Sequence, residues 1–142
     1  KLIVAGEGPE RNRLEKISTE NVNFVGALTD EKKFNLLGNS LAMIQASKED
    51  FGISTVEAQA CGVPVIAFFE GGASEIISHS NSRKTGMLFK NTNPEEIASA
   101  VNKFEKLDFF SEHCIKQASK FSCKHFDDKV VSLINKLVDQ ID

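Results

Sequence analysis

Residues 41–68 read LAMIQASKEDFGISTVEAQACGVPVIAF, and the fold class follows from that stretch. Its first six residues, LAMIQA, are a short apolar run of strand length. The polar segment SKED follows. Residues 52–61 then read as a helix, and 63–68 (VPVIAF) as a second buried strand. Strand, helix and strand in that order make one βαβ unit.

The same alternation extends in both directions. Upstream, 1–6 (KLIVAG) is an apolar run ending in glycine. Pro9 suits a first helical turn, and 10–19 (ERNRLEKIST) is a charged amphipathic helix. Residues 22–26 (VNFVG) are strand-like, and Thr29 or Asp30 caps a helix over 31–38. Downstream, Gly71-Gly72 opens a short helix to about Ser78, and 79–85 (HSNSRKT) is a polar loop. Residues 86–89 (GMLF) form a last strand. Asn93-Pro94-Glu95-Glu96 is a capping start for a helix to about Lys106, and 109–140 holds one or two amphipathic helices. Five strand signals separated by helices imply a parallel sheet covered on both faces, wound with right-handed crossovers. The expected class is a doubly wound α/β layout.

The chain has 142 residues, enough for one domain spanning 1–142. With 41% apolar and 26% charged residues it has the composition of an ordinary globule. The net charge of −3 is spread along the chain, and no basic stripe for a nucleic acid stands out. Cys61, Cys114 and Cys123 are odd in number and lack metal-ligand spacing, which fits a reducing compartment, the cytosol. His113-Cys114 and Cys123…His125 have no second pair at finger spacing. They read as helix-surface histidines and half-buried thiols, with no metal site. There is no run of 18 apolar residues. The opening Lys1-Leu2-Ile3-Val4-Ala5-Gly6 reads as a strand already under way, as in a piece of a longer protein.

In an open parallel sheet, ligands bind at the carboxyl ends of strands against helix N-termini. Three segments lie there. Gly6-Glu7-Gly8-Pro9 begins like a dinucleotide fingerprint, but Arg11 stands where the third glycine belongs, and a tight strand-to-helix turn accounts for it better. The second segment is Ser47 to Ala58, with Glu49 and Glu57 separated by seven residues. Gly52 admits close backbone approach, and the amides of Gly52, Ile53 and Ser54 would be free at a helix start, an anion site suited to a diphosphate. Glu57, among Ile53, Val56, Ala58 and Ala60, would be satisfied by the two hydroxyls of a ribose. Alternatively, Glu49 caps the helix and Glu57 faces water. The third segment, Phe69-Glu70-Gly71-Gly72-Ala73-Ser74-Glu75, is either a second amide-presenting helix start or a capped turn.

The run EDFGISTVEAQACGVPVIA resembles the E-x7-E signature of the retaining GT-B-fold glycosyltransferases of group 1. It matches at Glu49, Phe51, Gly52, Ile53, Glu57, Ala58, Ala60, Gly62, Pro64, Val65, Ile66 and Ala67. LIVAGEGPE, VNFVGALTDE, GGASEII and TGMLF resemble further elements of that family, so the resemblance covers about residues 1–105. Asp50 stands where Gly or Pro is frequent, and Ala46-Ser47 replaces a common Pro-Ser.

The resemblance implies a Rossmann-like, nucleotide-sugar-binding C-terminal half of a GT-B fold, missing its first strand and the acceptor-binding N-terminal domain. It implies that Glu57 holds the donor ribose and that Glu49, the catalytic residue, bonds the transferred sugar. The Gly52, Ile53 and Ser54 amides would cradle sugar and diphosphate, Gly26 and Ala27 would border the base, and Gly71 and Gly72 would line the cleft. The expected activity is retaining transfer of a hexose, with GDP-mannose as the suggested donor, to a polysaccharide or lipid-linked acceptor. No metal or other cofactor is implied, the GDP- or UDP-hexose being a substrate. The full-length protein would be cytoplasmic, with peripheral attachment to the inner face of the membrane, and this piece alone inactive. A sugar-nucleotide-binding module of the same fold without transfer activity is the alternative, which the Glu49/Glu57 pair disfavours.

Overall fold

In the computed structural model, residues 1–80 and 83–140 are described. Asn81 and Ser82, part of the expected polar loop, and the last two residues lie outside them. The chain divides into two compact units, Lys1–Leu36 and Leu37–Asp142.

In the first unit, β1 (Leu2–Ala5) and β2 (Val22–Gly26) pair in parallel, from Leu2 opposite Val22 to Ala5 opposite Gly26, with an irregularity between Val4 and Ala5. The connecting helix α1 (Arg11–Ile17) is shorter than expected. Its cap is Glu10, and Pro9 sits in the turn ahead of it, where the Gly8 carbonyl accepts the Arg11 N–H at 3.2 Å. Helix α2 (Asp30–Gly38) starts on Thr29, the first of the two expected caps: the Thr29 hydroxyl accepts the Lys32 N–H at 3.4 Å and its carbonyl the Lys33 N–H at 2.8 Å.

The second unit holds β3 (Met43–Gln45), α3 (Ile53–Ala60), β4 (Val65–Phe68), α4 (Ala73–Ile76), β5 (Gly86–Phe89) and α5 (Pro94–Phe104). Helix α6 (Ser111–Ala118), a 3-10 turn (Ser119–Phe121) and α7 (Cys123–Val138) follow. The strands form a parallel sheet in the order β3-β4-β5. Central β4 is buried on both faces, and its residues alternate between two cores. Val65 and Ala67 pack with Ala58 of α3 and Ala73 of α4, while Ile66 packs with Phe89 and Ala100 of α5. Helices on both faces of a parallel sheet are the doubly wound, Rossmann-like layout expected.

Two features differ in detail. The alternation implies one sheet, whereas among the described residues the hydrogen-bonded ladders are two, β1-β2 and β3-β4-β5. Apolar runs between helices establish buried parallel strands, but not which strand lies beside which. The paired-glycine helix α4 is a single turn that stops at Ile76, short of Ser78. Helix α5 starts as expected: Asn93 Oδ1 accepts the Glu96 N–H at 2.8 Å and Pro94 takes the first helical position. Helix α7 buries no residue and leaves Phe126, Leu133, Ile134 and Leu137 more than half exposed. Among the described residues, no helix is long and apolar enough to cross a membrane.

Candidate functional site

Strands β3 and β4 each end in a turn that leads into a helix, and the two turns are joined backbone to backbone. Glu49 pairs with Gly71 in a parallel bridge, and the Glu49 carbonyl accepts the Gly72 N–H at 2.9 Å. The contact leaves no room for side chains. A Cβ on Gly71 would fall 2.1 Å from the Glu49 carbonyl oxygen, and one on Gly72 would fall 1.9 Å from that of Phe51. The paired glycines are therefore a requirement of close approach. Lys48 Nζ lies 3.1 Å from Glu70 Oε2 across the same two turns; both side chains are well exposed, so the pair contributes little energy.

Helix α3 starts after Gly52, held at φ +85°. Among the described residues, the N–H groups of Gly52, Ile53 and Ser54 make no backbone hydrogen bond; Thr55 and Val56 are the first to do so, both to the Gly52 carbonyl. These three amides stand at the positive end of an eight-residue helix, the end where negative charge is favoured. The second turn differs from expectation. The Gly72 N–H is occupied by the Glu49 carbonyl, so Gly71-Gly72 supplies the wall against which the first turn leans more than a second set of open amides.

The two carboxylates are placed by different means. Glu49 is half-buried, and its Oε1 accepts a hydrogen bond from Gln45 Nε2 at 2.7 Å; the same amide lies 2.7 Å from Ser47 Oγ. Glu57 is half-buried in the second turn of α3. The core face of that helix consists of Thr55, Ala58 and Gln59. Glu57 lies on the opposite face, four residues from Ile53, whose side chain is 63% exposed. It therefore stands away from the apolar core on the face that Ile53 opens to solvent. Glu49, Gly52, Gly71 and Gly72 are brought together by the bridge, and Ile53, Ser54 and Glu57 follow on the same helix. Gly26 and Ala27 lie in the first unit, where the Glu7 and Arg11 side chains cover Gly26: a Cβ there would meet Glu7 Oε1 at 2.6 Å and an Arg11 guanidinium nitrogen at 3.0 Å. Arg11 is held between Glu7 (2.6 Å) and Glu15 (2.8 Å), which raises its pKa above the ordinary arginine value, the Glu15 hydrogen bond contributing most.

Three residues at the centre of this architecture carry no obvious sign in the sequence. Gln45 orients Glu49, and its only signal is that it is the one polar residue in LAMIQA, at the strand's carboxyl end. Gln59 and Thr85 are fully buried partners: Gln59 Nε2 donates to Thr85 Oγ1 at 3.1 Å, and the same hydroxyl accepts the Ser78 N–H at 2.9 Å. Cys114 is wholly buried rather than half-buried, and desolvation pushes its thiol up to about 11, while Cys61 is half-buried and Cys123 exposed. Two surface hollows lie elsewhere, one along α7 at His125, Lys129 and Leu133, the other beside β5 at His79, Lys84 and Met87.

Residues 1–121 match the family described as "Glycosyl transferases group 1". The chain belongs to the group 1 glycosyl transferases. Among curated relatives it is 29% identical to the sulfoquinovosyl transferase SQD2 of Arabidopsis thaliana, over 89% of this chain and 25% of that protein. It is 33% identical to a GDP-mannose-dependent alpha-(1-6)-phosphatidylinositol dimannoside mannosyltransferase of Mycobacterium tuberculosis, over 71% of this chain and 26% of that protein. The chain thus spans about a quarter of the length of these curated relatives. Among solved structures, sucrose-phosphate synthase from Thermosynechococcus elongatus superposes with a TM-score of 0.76 at 22% identity, over 98% of this chain and 39% of that one. Anabaena HepE in complex with UDP-glucose superposes with a TM-score of 0.67 at 22% identity, over 94% and 40% of the two chains. These likenesses give this group 1 chain the Rossmann-like fold found in GT-B glycosyltransferases.

Proposed function

We propose that this chain is the donor-binding part of a retaining hexosyltransferase that transfers a sugar, with mannose the first candidate, from a nucleoside diphosphate to a polysaccharide or lipid-linked acceptor. The observation that supports this is the join between the Glu49 and Gly71-Gly72 turns, which brings together the ends of two strands just ahead of the amides that open α3. The Gly52, Ile53 and Ser54 amides hold the diphosphate, where the helix dipole favours negative charge. Glu57 accepts hydrogen bonds from the two ribose hydroxyls. Glu49, steadied by Gln45, bonds the transferred sugar and orients its anomeric carbon. Gly71 and Gly72 line the cleft. Charge that builds on the leaving diphosphate meets dipoles already in place, so stabilisation requires no rearrangement at the moment of transfer. The nucleotide sugar is the substrate, and no metal or other cofactor is assigned a part.

Donor and acceptor classes follow the relatives. The Mycobacterium tuberculosis enzyme is GDP-mannose-dependent and acts on a phosphatidylinositol mannoside, and HepE was crystallised with UDP-glucose. With a lipid-linked acceptor, the working protein is assigned to the cytoplasm, peripherally at the inner face of the membrane. The acceptor itself is chosen by parts of the protein outside this donor half. A thermal-shift panel with GDP-mannose, UDP-glucose and an ADP-sugar tests the assignment. One base class should raise the melting temperature by a few degrees at saturating ligand; no shift with any of the three would overturn it.

A further inference from the structure

Helix α6, with the 3-10 turn that ends it, packs against α3. Helix α6 runs antiparallel along α3, and its contacts can be followed from end to end. At its start, a Cβ on Gly62, just beyond the carboxyl end of α3, would lie 2.9 Å from Ser111 Cβ. In its middle, the Cys114 thiol faces the Thr85 carbonyl at 3.9 Å. One turn later, Gln117 Nε2 donates to the Ile76 carbonyl at 2.8 Å. At the far end, the Phe121 ring meets Phe51 edge-on, with centroids 6.3 Å apart.

The last two contacts converge on Gly52. Phe51 precedes it, and the Phe51 carbonyl is already pressed against Gly72. Ile76 is fully buried, and its Cδ1 lies 3.1 Å from where a Gly52 Cβ would stand. Gln117 therefore holds the residue that roofs Gly52, and Phe121 holds the ring that leads into it. The Phe51 ring is 57% exposed, so little else confines it. A glycine at φ +85° has no side chain of its own to fix it, and the direction of its amide depends on such neighbours.

We infer that Gln117 and Phe121 are positioning residues for the amides of Gly52, Ile53 and Ser54, so that α6 and its terminal 3-10 turn buttress the diphosphate end of the donor site. Neither residue touches the ligand. This rests on the donor-site assignment above and adds to it the residues that aim the amides.

The test compares UDP with UMP and GDP with GMP, by isothermal titration into the wild-type chain and into Phe121→Ala, Phe121→Leu and Gln117→Glu. The amides are assigned to the diphosphate, whose terminal phosphate a monophosphate lacks. The alanine and glutamate variants should therefore lose about tenfold in affinity for the diphosphate while the monophosphate is held as before. Phe121→Leu, which keeps an apolar contact with Phe51, should recover most of the loss. A merely destabilised fold would weaken both nucleotides alike, and that result overturns the inference, as does a diphosphate affinity that no variant changes. Wild-type chain that binds neither UDP nor GDP would overturn the donor assignment together with the inference.

Discussion

The Glu49 carbonyl and the Gly72 N–H are 2.9 Å apart, and this one hydrogen bond ties the ends of two neighbouring strands into a single rigid lip. Gly71 beside it completes a parallel bridge to Glu49. Glu49 thus has two functions in different atoms: its backbone closes the lip, and its side chain, held by Gln45 at 2.7 Å, points where that lip directs it.

Gly72→Ala should be among the most damaging single substitutions in the chain. Its Cβ would overlap the Phe51 carbonyl at 1.9 Å, and neither backbone can move without breaking the bridge. Urea denaturation should show a loss of about 3 kcal/mol or failure to fold, compared with less than about 0.5 kcal/mol for an exposed loop glycine such as Gly8. Equal, small effects at the two positions would mean that the turns are not joined as described.

Gln45→Leu should separate rate from binding. The substitution removes the amide that steadies the Glu49 carboxylate, without touching the amides or Glu57. In an assay of sugar transfer by the full-length protein, kcat should fall about tenfold with the donor Kd nearly unchanged. A change confined to Kd would move Gln45 from orienting the proposed catalytic group to binding the donor.

Thr85→Val should destabilise the second unit. The buried Gln59 Nε2 and the part-buried Ser78 N–H lose their common acceptor. Each unsatisfied donor costs roughly 1–3 kcal/mol, so urea unfolding should show a loss of about 2–4 kcal/mol. A near-neutral result would imply that a water replaces the hydroxyl.

The thiols provide a pH test. Cys114 rises from its ordinary 9.0 to about 11 because burial disfavours the thiolate. A raised folded-state value gives stability that is full below pH 9 and lost as pH climbs toward 11, where the unfolded chain ionises first. Alkylation of native protein at pH 8 should modify Cys123 quickly, Cys61 slowly and Cys114 only after unfolding. Rapid modification of all three would mean that α6 is not seated against α3.

Much of this architecture was legible in the sequence, for reasons that are local. VPVIAF is buried on both faces, so it reads as an unbroken apolar run and announces a central parallel strand. Asn93-Pro94 announces a helix start because the cap bond spans only three residues. The open amides before α3 follow from where a strand gives way to a helix. What escaped was pairwise. Thr85 ends a segment that reads as a polar loop, and it is core only because Gln59, 26 residues away, meets its hydroxyl. Gln45 and Glu49 are four apart, but the chain between them is not helical, so that spacing carried no signal. The glycine pair at 71–72 marked a turn, while its true cause, the Glu49 and Phe51 backbones, lies 22 and 21 residues upstream.

The most direct measurement is isothermal titration of GDP-mannose and UDP-glucose into the wild-type protein and Glu57→Ala. One of the two donors should bind the wild type. The variant should then bind it at least about tenfold more weakly, because two hydrogen bonds from ribose hydroxyls to a charged acceptor are lost. Equal affinity in wild type and variant, or no binding of either donor, would contradict the assignment of this face of α3 as the place where a nucleotide sugar is held.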